Sequence, residues 1–142
     1  VVSPPKGRSE ADTMKDSSQG FTLIELLIVV VVIGVLATIA IPKFSQMRTK
    51  SYIAVVTSDL KNTASQQEIY LSTEYSYAST LASLDMILTD AVTITINEAT
   101  GTGWAATGTH SGLAGQQCGF FFGDASAANA TPATTAGTVI CN

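Results

Sequence analysis

The sequence has no lysine or arginine after Lys61, although the last 81 residues carry six acidic side chains. Nucleic-acid binding depends on cations that neutralise phosphates, so we expect no direct nucleic-acid binding by this acidic part of the chain. Any such contact would need the basic cluster at 43–61 or another protein. The acidic residues are Glu68, Glu74, Asp85, Asp90, Glu98 and Asp124.

Histidine and cysteine are scarce, with His110 alone and two cysteines. The spacing fits neither a His/Cys metal site nor a Ser/His/Asp set, so we predict that the protein is not an enzyme. The segment 101–106 fits G-x-G-x-x-A, but no helix pattern follows it, which favours a hairpin turn over a dinucleotide site. We predict no cofactor. Calcium is the alternative, through Asp85, Asp90 and Asp124, although their spacing is not that of a dedicated calcium loop.

One long apolar run extends from Phe21 to Ile41, and Glu25 is its only ionisable residue. A helix of this length covers roughly 30 Å, the hydrocarbon thickness of a bilayer. In a secretory signal peptide the small residues of the cleavage site follow the apolar core, whereas here Gly20 precedes it. A buried core helix would show a polar face over five turns. The run therefore predicts a membrane-spanning helix.

Glu25 needs a physical reason to lie in this run, because a charged side chain costs about 2.5–3.5 kcal/mol at the centre of a membrane helix and less near its end. One interpretation is that Glu25 reaches the headgroups and is favoured by the helix dipole. The other is a cation at the same depth in a neighbouring subunit. The α-amino group of Phe21 would supply it if the chain were cut after Gly20.

The run of residues 20–28, Gly-Phe-Thr-Leu-Ile-Glu-Leu-Leu-Ile, resembles the processing and assembly signal of bacterial type IV pilins and pseudopilins. This resemblance implies cleavage after Gly20 by a prepilin peptidase and N-methylation of Phe21. It implies subunit assembly through Phe21 and Glu25. Gly34 and Pro42 match the residues that bound a stretch which loses helicity in filaments of the family. The resemblance covers residues 14 to about 75.

We divide the chain into four segments on this basis. Residues 1–20 are a leader, in which Met14 is the expected start and 1–13 an upstream extension, with a longer native leader as the alternative. Residues 21–42 are the transmembrane and assembly helix, 43–75 an amphipathic helix, and 76–142 a globular head. Basic residues lie on both sides of the apolar run, so the positive-inside rule gives no clear orientation. The resemblance implies a cytoplasmic leader and an external head.

The expected fold class is α+β, with the long helix packed on a small antiparallel sheet of three or four strands, as in the pilin fold that the chain resembles. Pro42 is expected to kink or weaken the helix. Beyond it, one apolar stripe is opposed by a polar face that includes Asp59. We expect strands over 91–96, 104–110, 118–122 and 137–141, a loop over 124–137, and packing roles for the aromatic residues Tyr52, Tyr70, Tyr75, Tyr77 and Trp104. The stripe comprises Ile53, Val56, Leu60, Ala64 and Leu71.

Cys118 and Cys141 flank the C-terminal segment. In an oxidising compartment a pair is expected, and two separate buried thiols are the alternative. The resemblance adds that many type IV pilins carry a C-terminal loop bounded by a disulfide.

The resulting functional hypothesis is a structural subunit of a type IV pilus, made as an inner-membrane precursor and polymerised into surface filaments for motility, adhesion or DNA uptake. Its implied partners are identical subunits, the prepilin peptidase, an inner-membrane assembly platform, a cytoplasmic assembly ATPase and, before assembly, membrane lipid. A pseudopilin of a type II secretion system or a minor pilin is the alternative. A further alternative is an uncleaved, membrane-anchored binding domain.

Overall fold

The structure, a computed structural model, describes residues 20–142. The predicted leader, with its expected start at Met14, lies outside these residues except for Gly20. The chain divides into two compact units between Ile39 and Ala40, and each unit is described by itself.

Helix α1 (Leu23–Glu74) begins in the first unit, two residues after Phe21. Its residues in this unit are rich in valine, isoleucine and leucine, and no side chain between 20 and 39 is buried. In the second unit the helical conformation continues through Pro42. The proline therefore removes a backbone donor without ending the helix.

The amphipathic part of α1 supplies one wall of the main core. Val56 and Leu60 are fully buried, and the other three residues of the predicted stripe pack against the same cluster, which confirms the stripe. The helix approaches the sheet closely at Gly108, where an added Cβ would lie 2.8 Å from the Cγ1 atom of Val56. A side chain at this position would push the helix away from the sheet.

The opposite face of α1 differs from the prediction at Asp59, which is buried. Its carboxylate accepts hydrogen bonds from the backbone nitrogen and the hydroxyl of Thr89, at 2.9 and 3.1 Å. Thr63 and Gln67 follow at intervals of four residues and are also buried. These three residues form a buried polar stripe that holds the segment after α1 against the helix.

Four antiparallel strands follow in the simple order β1-β2-β3-β4, which confirms the predicted α+β class. The register between β1 and β2 shifts between Ile96 and Glu98, which marks a bulge at Asn97. Two 3₁₀ turns cover Leu81–Leu84 and Ala127–Ala130. The strands are β1 (Val92–Ala99), β2 (Gly103–His110), β3 (Cys118–Gly123) and β4 (Ile140–Cys141).

Strand β4 is shorter than the predicted strand over 137–141. Gly137 has a φ of 75° and donates its backbone N–H to the carbonyl of Phe121, so the chain turns there before it becomes extended. The predicted loop over 124–137 contains the second 3₁₀ turn and covers the face of the sheet away from α1.

The sheet therefore separates two clusters of buried side chains. On the helix side Trp104 and Phe120 lie with their ring centroids 5.0 Å apart. On the other side Phe121 packs against a cluster of alanines, so β3 is covered on both faces. The aromatic prediction is confirmed for Trp104 and Tyr77, which are buried, but it is wrong for Tyr75, which is 85% exposed in the turn that ends α1.

Candidate assembly segment

A capping box fixes the start of α1. Thr22 precedes the helix, and its hydroxyl accepts a hydrogen bond from the backbone nitrogen of Glu25 at 3.3 Å. The Glu25 carboxylate accepts in return from the backbone nitrogen of Thr22, at 2.9 Å, and from its hydroxyl, at 2.8 Å. This reciprocal pattern satisfies two backbone donors that the first helical turn would otherwise leave open.

One oxygen of the Glu25 carboxylate accepts no hydrogen bond from the residues that the structure describes. Within residues 20–142, both hydrogen bonds that Glu25 accepts end on its Oε2 atom. Because each carboxylate oxygen offers two lone-pair sites, the Oε1 atom can accept from a group outside this chain.

The apolar surface that follows Glu25 is not covered by any other part of the chain that the structure describes. The helix contains a window long and apolar enough to cross a membrane, and none of that window is buried. Phe21 and Leu23 are 86% and 88% exposed. Such a surface requires lipid or other apolar protein surfaces around it.

The predicted site residues are spread along this segment. Gly20 and Phe21 lie before α1, Glu25 lies in its first turn, and Gly34 lies within the exposed apolar part. Pro42 belongs to the second unit. Thr22 is not among the predicted site residues, although the Thr-x-x-Glu spacing of residues 22–25 is itself a helix-start signal.

Cys118 and Cys141 form a disulfide, which joins directly opposed residues of β3 and β4. Both sulfurs belong to the core on the helix side of the sheet. The Cys141 sulfur lies 3.6 Å from the hydroxyl of Thr57 on α1. The disulfide thus ties the end of the chain to β3, on the side of the sheet that packs against α1.

The three aspartates considered for calcium do not converge. Asp85 and Asp90 are exposed, and Asp124 accepts hydrogen bonds from Thr102 and Thr100 at 2.6 and 3.4 Å. In the part of the chain that the structure describes, no three His, Cys, Asp or Glu side chains group as metal ligands would. Asp124 instead ties the β1–β2 turn, which contains the G-x-G-x-x-A glycines, to the end of β3.

Comparisons with known proteins bear on the same segment. Residues 15–41 match the family described as "Prokaryotic N-terminal methylation motif". A type IV wide pilus major component of Thermus thermophilus is 41% identical over 68 residues, which cover 48% of this chain and 52% of that protein. A type IV major pilin protein of Myxococcus xanthus is 41% identical over 61 residues, with 43% and 28% covered.

A type II secretion system core protein G of Pseudomonas aeruginosa is also similar, with 32% identity over 69 residues that cover 49% of each protein. The matches span about half the length of the curated relatives or less. The family match covers the N-terminal motif and the apolar part of α1.

Proposed function

We propose that this chain, which carries the N-terminal segment and the fold of the type IV pilins and pseudopilins, is the structural subunit of a type IV pilus. The observation that carries this proposal is the exposed apolar half of α1, interrupted by Glu25 alone. A bundle of identical helices would cover that surface as lipid does. The chain is then a building block and not an enzyme.

Assembly would begin with cleavage after Gly20, which leaves the α-amino group of Phe21 at the new N-terminus, where it is N-methylated. That cation would lie at the depth of Glu25 in a subunit displaced along the filament. The Oε1 atom of Glu25, which accepts no hydrogen bond within residues 20–142, supports this pairing, because the capping box need not open to accept it. An unpaired buried charge costs several kcal/mol, whereas a pair is close to neutral, so the pair would act as a register check.

Gly34 and Pro42 would give the segment between them freedom to lose helicity during packing. Among the residues that the structure describes, no atom outside its own helix lies within 4 Å of a Cβ added at Gly34, so no packing contact there explains a glycine. Its low helix propensity and the missing donor of Pro42 both weaken the helix locally.

The proposed pathway places the precursor in the bacterial inner membrane, with its leader in the cytoplasm and its head outside. A prepilin peptidase would process it. A cytoplasmic ATPase and an inner-membrane platform would then drive identical subunits into a filament at the cell surface. We propose that such a filament serves motility, adhesion or DNA uptake.

A pseudopilin of a type II secretion system, or a minor pilin, is the second candidate. The similarity to the type II secretion system core protein G of Pseudomonas aeruginosa supports it. We favour the pilus because further similar proteins are named as major pilins or fimbrial proteins. The loop bounded by Cys118 and Cys141 also fits the pilus better.

The test is mass spectrometry of sheared surface filaments and of the membrane fraction from the source cells. An abundant sheared species that begins at N-methyl-Phe21 is expected. The same processed species confined to membranes would favour the pseudopilin or minor pilin. A chain that retains Gly20 and its leader would overturn the filament proposal and favour the uncleaved anchored domain.

A further inference from the structure

A chain of contacts holds Arg48 in place on the part of α1 that follows the apolar run. Its Nη2 atom donates a hydrogen bond of 2.9 Å to the Tyr52 hydroxyl. The Tyr52 ring stacks on His110, with centroids 4.1 Å apart and an interplanar angle of 14°. The His110 Nδ1 atom accepts from the backbone nitrogen of Gly112 at 2.9 Å. Two elements that are distant in sequence therefore orient one guanidinium group.

Gly112 is the position where the second element comes closest to the tyrosine. A Cβ built there would lie 2.6 Å from the Cε2 atom of Tyr52, so any larger residue would displace the ring. The backbone of this turn and the His110 ring thus confine Tyr52. A confined donor group loses less conformational entropy when it binds a ligand.

Arg48, Tyr52 and Gly112 line a cleft of about 350 Å³. Arg48 and the hydroxyls of Ser45 and Tyr52 supply hydrogen-bond donors, whereas the Thr49 hydroxyl donates to the Ser45 carbonyl at 3.3 Å, and none of the lining residues is acidic. Because the Tyr52 oxygen accepts from Arg48, its own proton can be given to an anion. The lining comprises Ile41, Phe44, Ser45, Arg48, Thr49, Tyr52 and Gly112.

The lining changes from apolar to polar along α1 in the direction away from the apolar run. Ile41 and Phe44 come first and are 71% and 64% exposed, and Arg48 and Tyr52 follow. At a rise of ~1.5 Å per residue, Arg48 lies about 10 Å beyond Ile41 along the helix axis. This is close to the headgroup layer, which extends roughly 5–8 Å beyond the hydrocarbon on each side. A phospholipid changes from apolar to polar in the same direction, from its acyl chains to its phosphate.

The basic residues that follow the apolar run also favour an anionic ligand. Lys43, Arg48 and Lys50 follow the apolar run on the side where the head lies. In the proposed orientation this side is translocated, and the positive-inside rule disfavours basic residues there. An anionic headgroup would attract such a cluster.

We propose that this cleft binds the phosphate headgroup of an anionic phospholipid, in the leaflet where α1 leaves the membrane. Arg48 would donate to the phosphate oxygens together with the Tyr52 hydroxyl, while Ile41 and Phe44 contact the glycerol and upper acyl chain. The inference rests on the membrane-spanning segment of the proposed function, and it does not depend on filament assembly. The bound lipid would set the depth of the precursor before extraction.

The test uses the full chain purified in micelles that contain equal amounts of phosphatidylglycerol and phosphatidylcholine, with retained lipids counted by native mass spectrometry. We expect selective retention of phosphatidylglycerol. Arg48→Gln should lower it about tenfold, because the variant loses a charge-assisted hydrogen bond. Tyr52→Phe keeps the ring stacked on His110 and should cause a smaller loss.

Lys61→Gln is the matched control, since it removes the same charge from an exposed position of α1. That position is 13 residues beyond Arg48, about 20 Å further from the apolar run. Equal retention by the Arg48 and Lys61 variants would show general charge attraction and overturn the proposal. Equal retention of both lipids would overturn it too, as would displacement of the lipid by millimolar inorganic phosphate, which would identify a site for free anions.

Failure of the lipid-retention test can be distinguished from failure of the filament test. If the leader proves uncleaved, so that the filament proposal fails, selective lipid retention can still be observed. If lipid retention fails while sheared filaments begin at N-methyl-Phe21, only the headgroup site is lost.

Discussion

The Thr22 hydroxyl and the Glu25 carboxylate lie 2.8 Å apart and close a capping box at the first turn of α1. The one charged residue of the apolar run thus has a local role as well as the proposed role between subunits. The two roles use different properties of the side chain. Capping needs a hydrogen-bond acceptor, whereas neutralising an amine needs a negative charge.

Glu25→Gln separates these two roles, because glutamine also completes a capping box. We expect the variant to insert into the membrane and to be processed as the natural chain is, yet to form no filaments, since an amide cannot neutralise the Phe21 amine of a neighbour. Membrane fractionation and the yield of sheared filaments measure the two properties.

Glu25→Ala should behave in the same way in assembly, and Thr22→Val serves as the control. The valine variant loses the hydroxyl contacts and weakens the helix start by roughly 0.5–2 kcal/mol, but it retains the charge. It should still assemble. Abundant filaments from Glu25→Gln would mean that capping, and not charge, is what assembly requires.

The features of the chain that depend on local pattern could be predicted from the sequence. Each of these patterns extends over many residues: the apolar run, the apolar stripe of α1 and the alternation in β1. The structure has a helix over the run, packs the stripe against the core and forms a strand at β1, as predicted. Asp59 could not be predicted in this way. Asp59 lies opposite the apolar stripe, so its side chain is expected to face solvent. It is buried because the chain folds back 30 residues later, where Thr89 donates two hydrogen bonds to its carboxylate.

Asp59→Ala should destabilise the second unit by about 1–3 kcal/mol, because it removes the charged acceptor of the two hydrogen bonds that hold Thr89 against α1. Asp59→Asn retains one acceptor and should cost less. Urea unfolding of the full chain in detergent measures this change. The fluorescence of Trp104 is the natural signal, since it is the only tryptophan and is fully buried.

Asp90→Asn is the control for the aspartate series. Asp90 is exposed, so this variant changes the net charge by the same amount and should unfold like the natural chain. Equal stability of the alanine variant and the natural chain would show that the contact with Thr89 contributes nothing.

The disulfide is the second feature that can be tested by unfolding. Cys118 and Cys141 are 23 positions apart, and a closed loop of this length contributes about 3 kcal/mol in the chain-entropy account. Replacing both with serine should lower the free energy of unfolding by about that amount. Reduction of the natural chain should give the same shift, and an unchanged urea midpoint in both cases would contradict the prediction.

The covering of the sheet's outer face shows where prediction by pattern fails. The segment after β3 is small and rich in threonine and alanine, and the sequence predicts only a loop there. In the structure Ala125, Ala130 and Ala133 are buried against Ala105 and Phe121. Small side chains carry little periodic signal, and their burial depends on contacts made across the sheet.

Tyr77 makes stability depend on pH in the alkaline range. Burial of its ring, and then the hydrogen bond and negative charge of Glu68, raise the pKa of Tyr77 to about 12. In the unfolded chain a tyrosine titrates near pH ~10. Between these values the folded state binds more protons than the unfolded state, so stability falls as pH rises from about 10 to 12 and is fully present below that range.

Tyr77→Phe tests this dependence. The variant loses the 3.0 Å hydrogen bond to Glu68, so it should be less stable than the natural chain at pH 8. Its stability should then fall less between pH 10 and pH 12, because the group that releases the proton is absent. Thermal unfolding followed by Trp104 fluorescence at several pH values measures both effects. Tyr75→Phe removes an exposed hydroxyl and is the matched control, and equal alkaline slopes for the two variants would contradict the role of Tyr77.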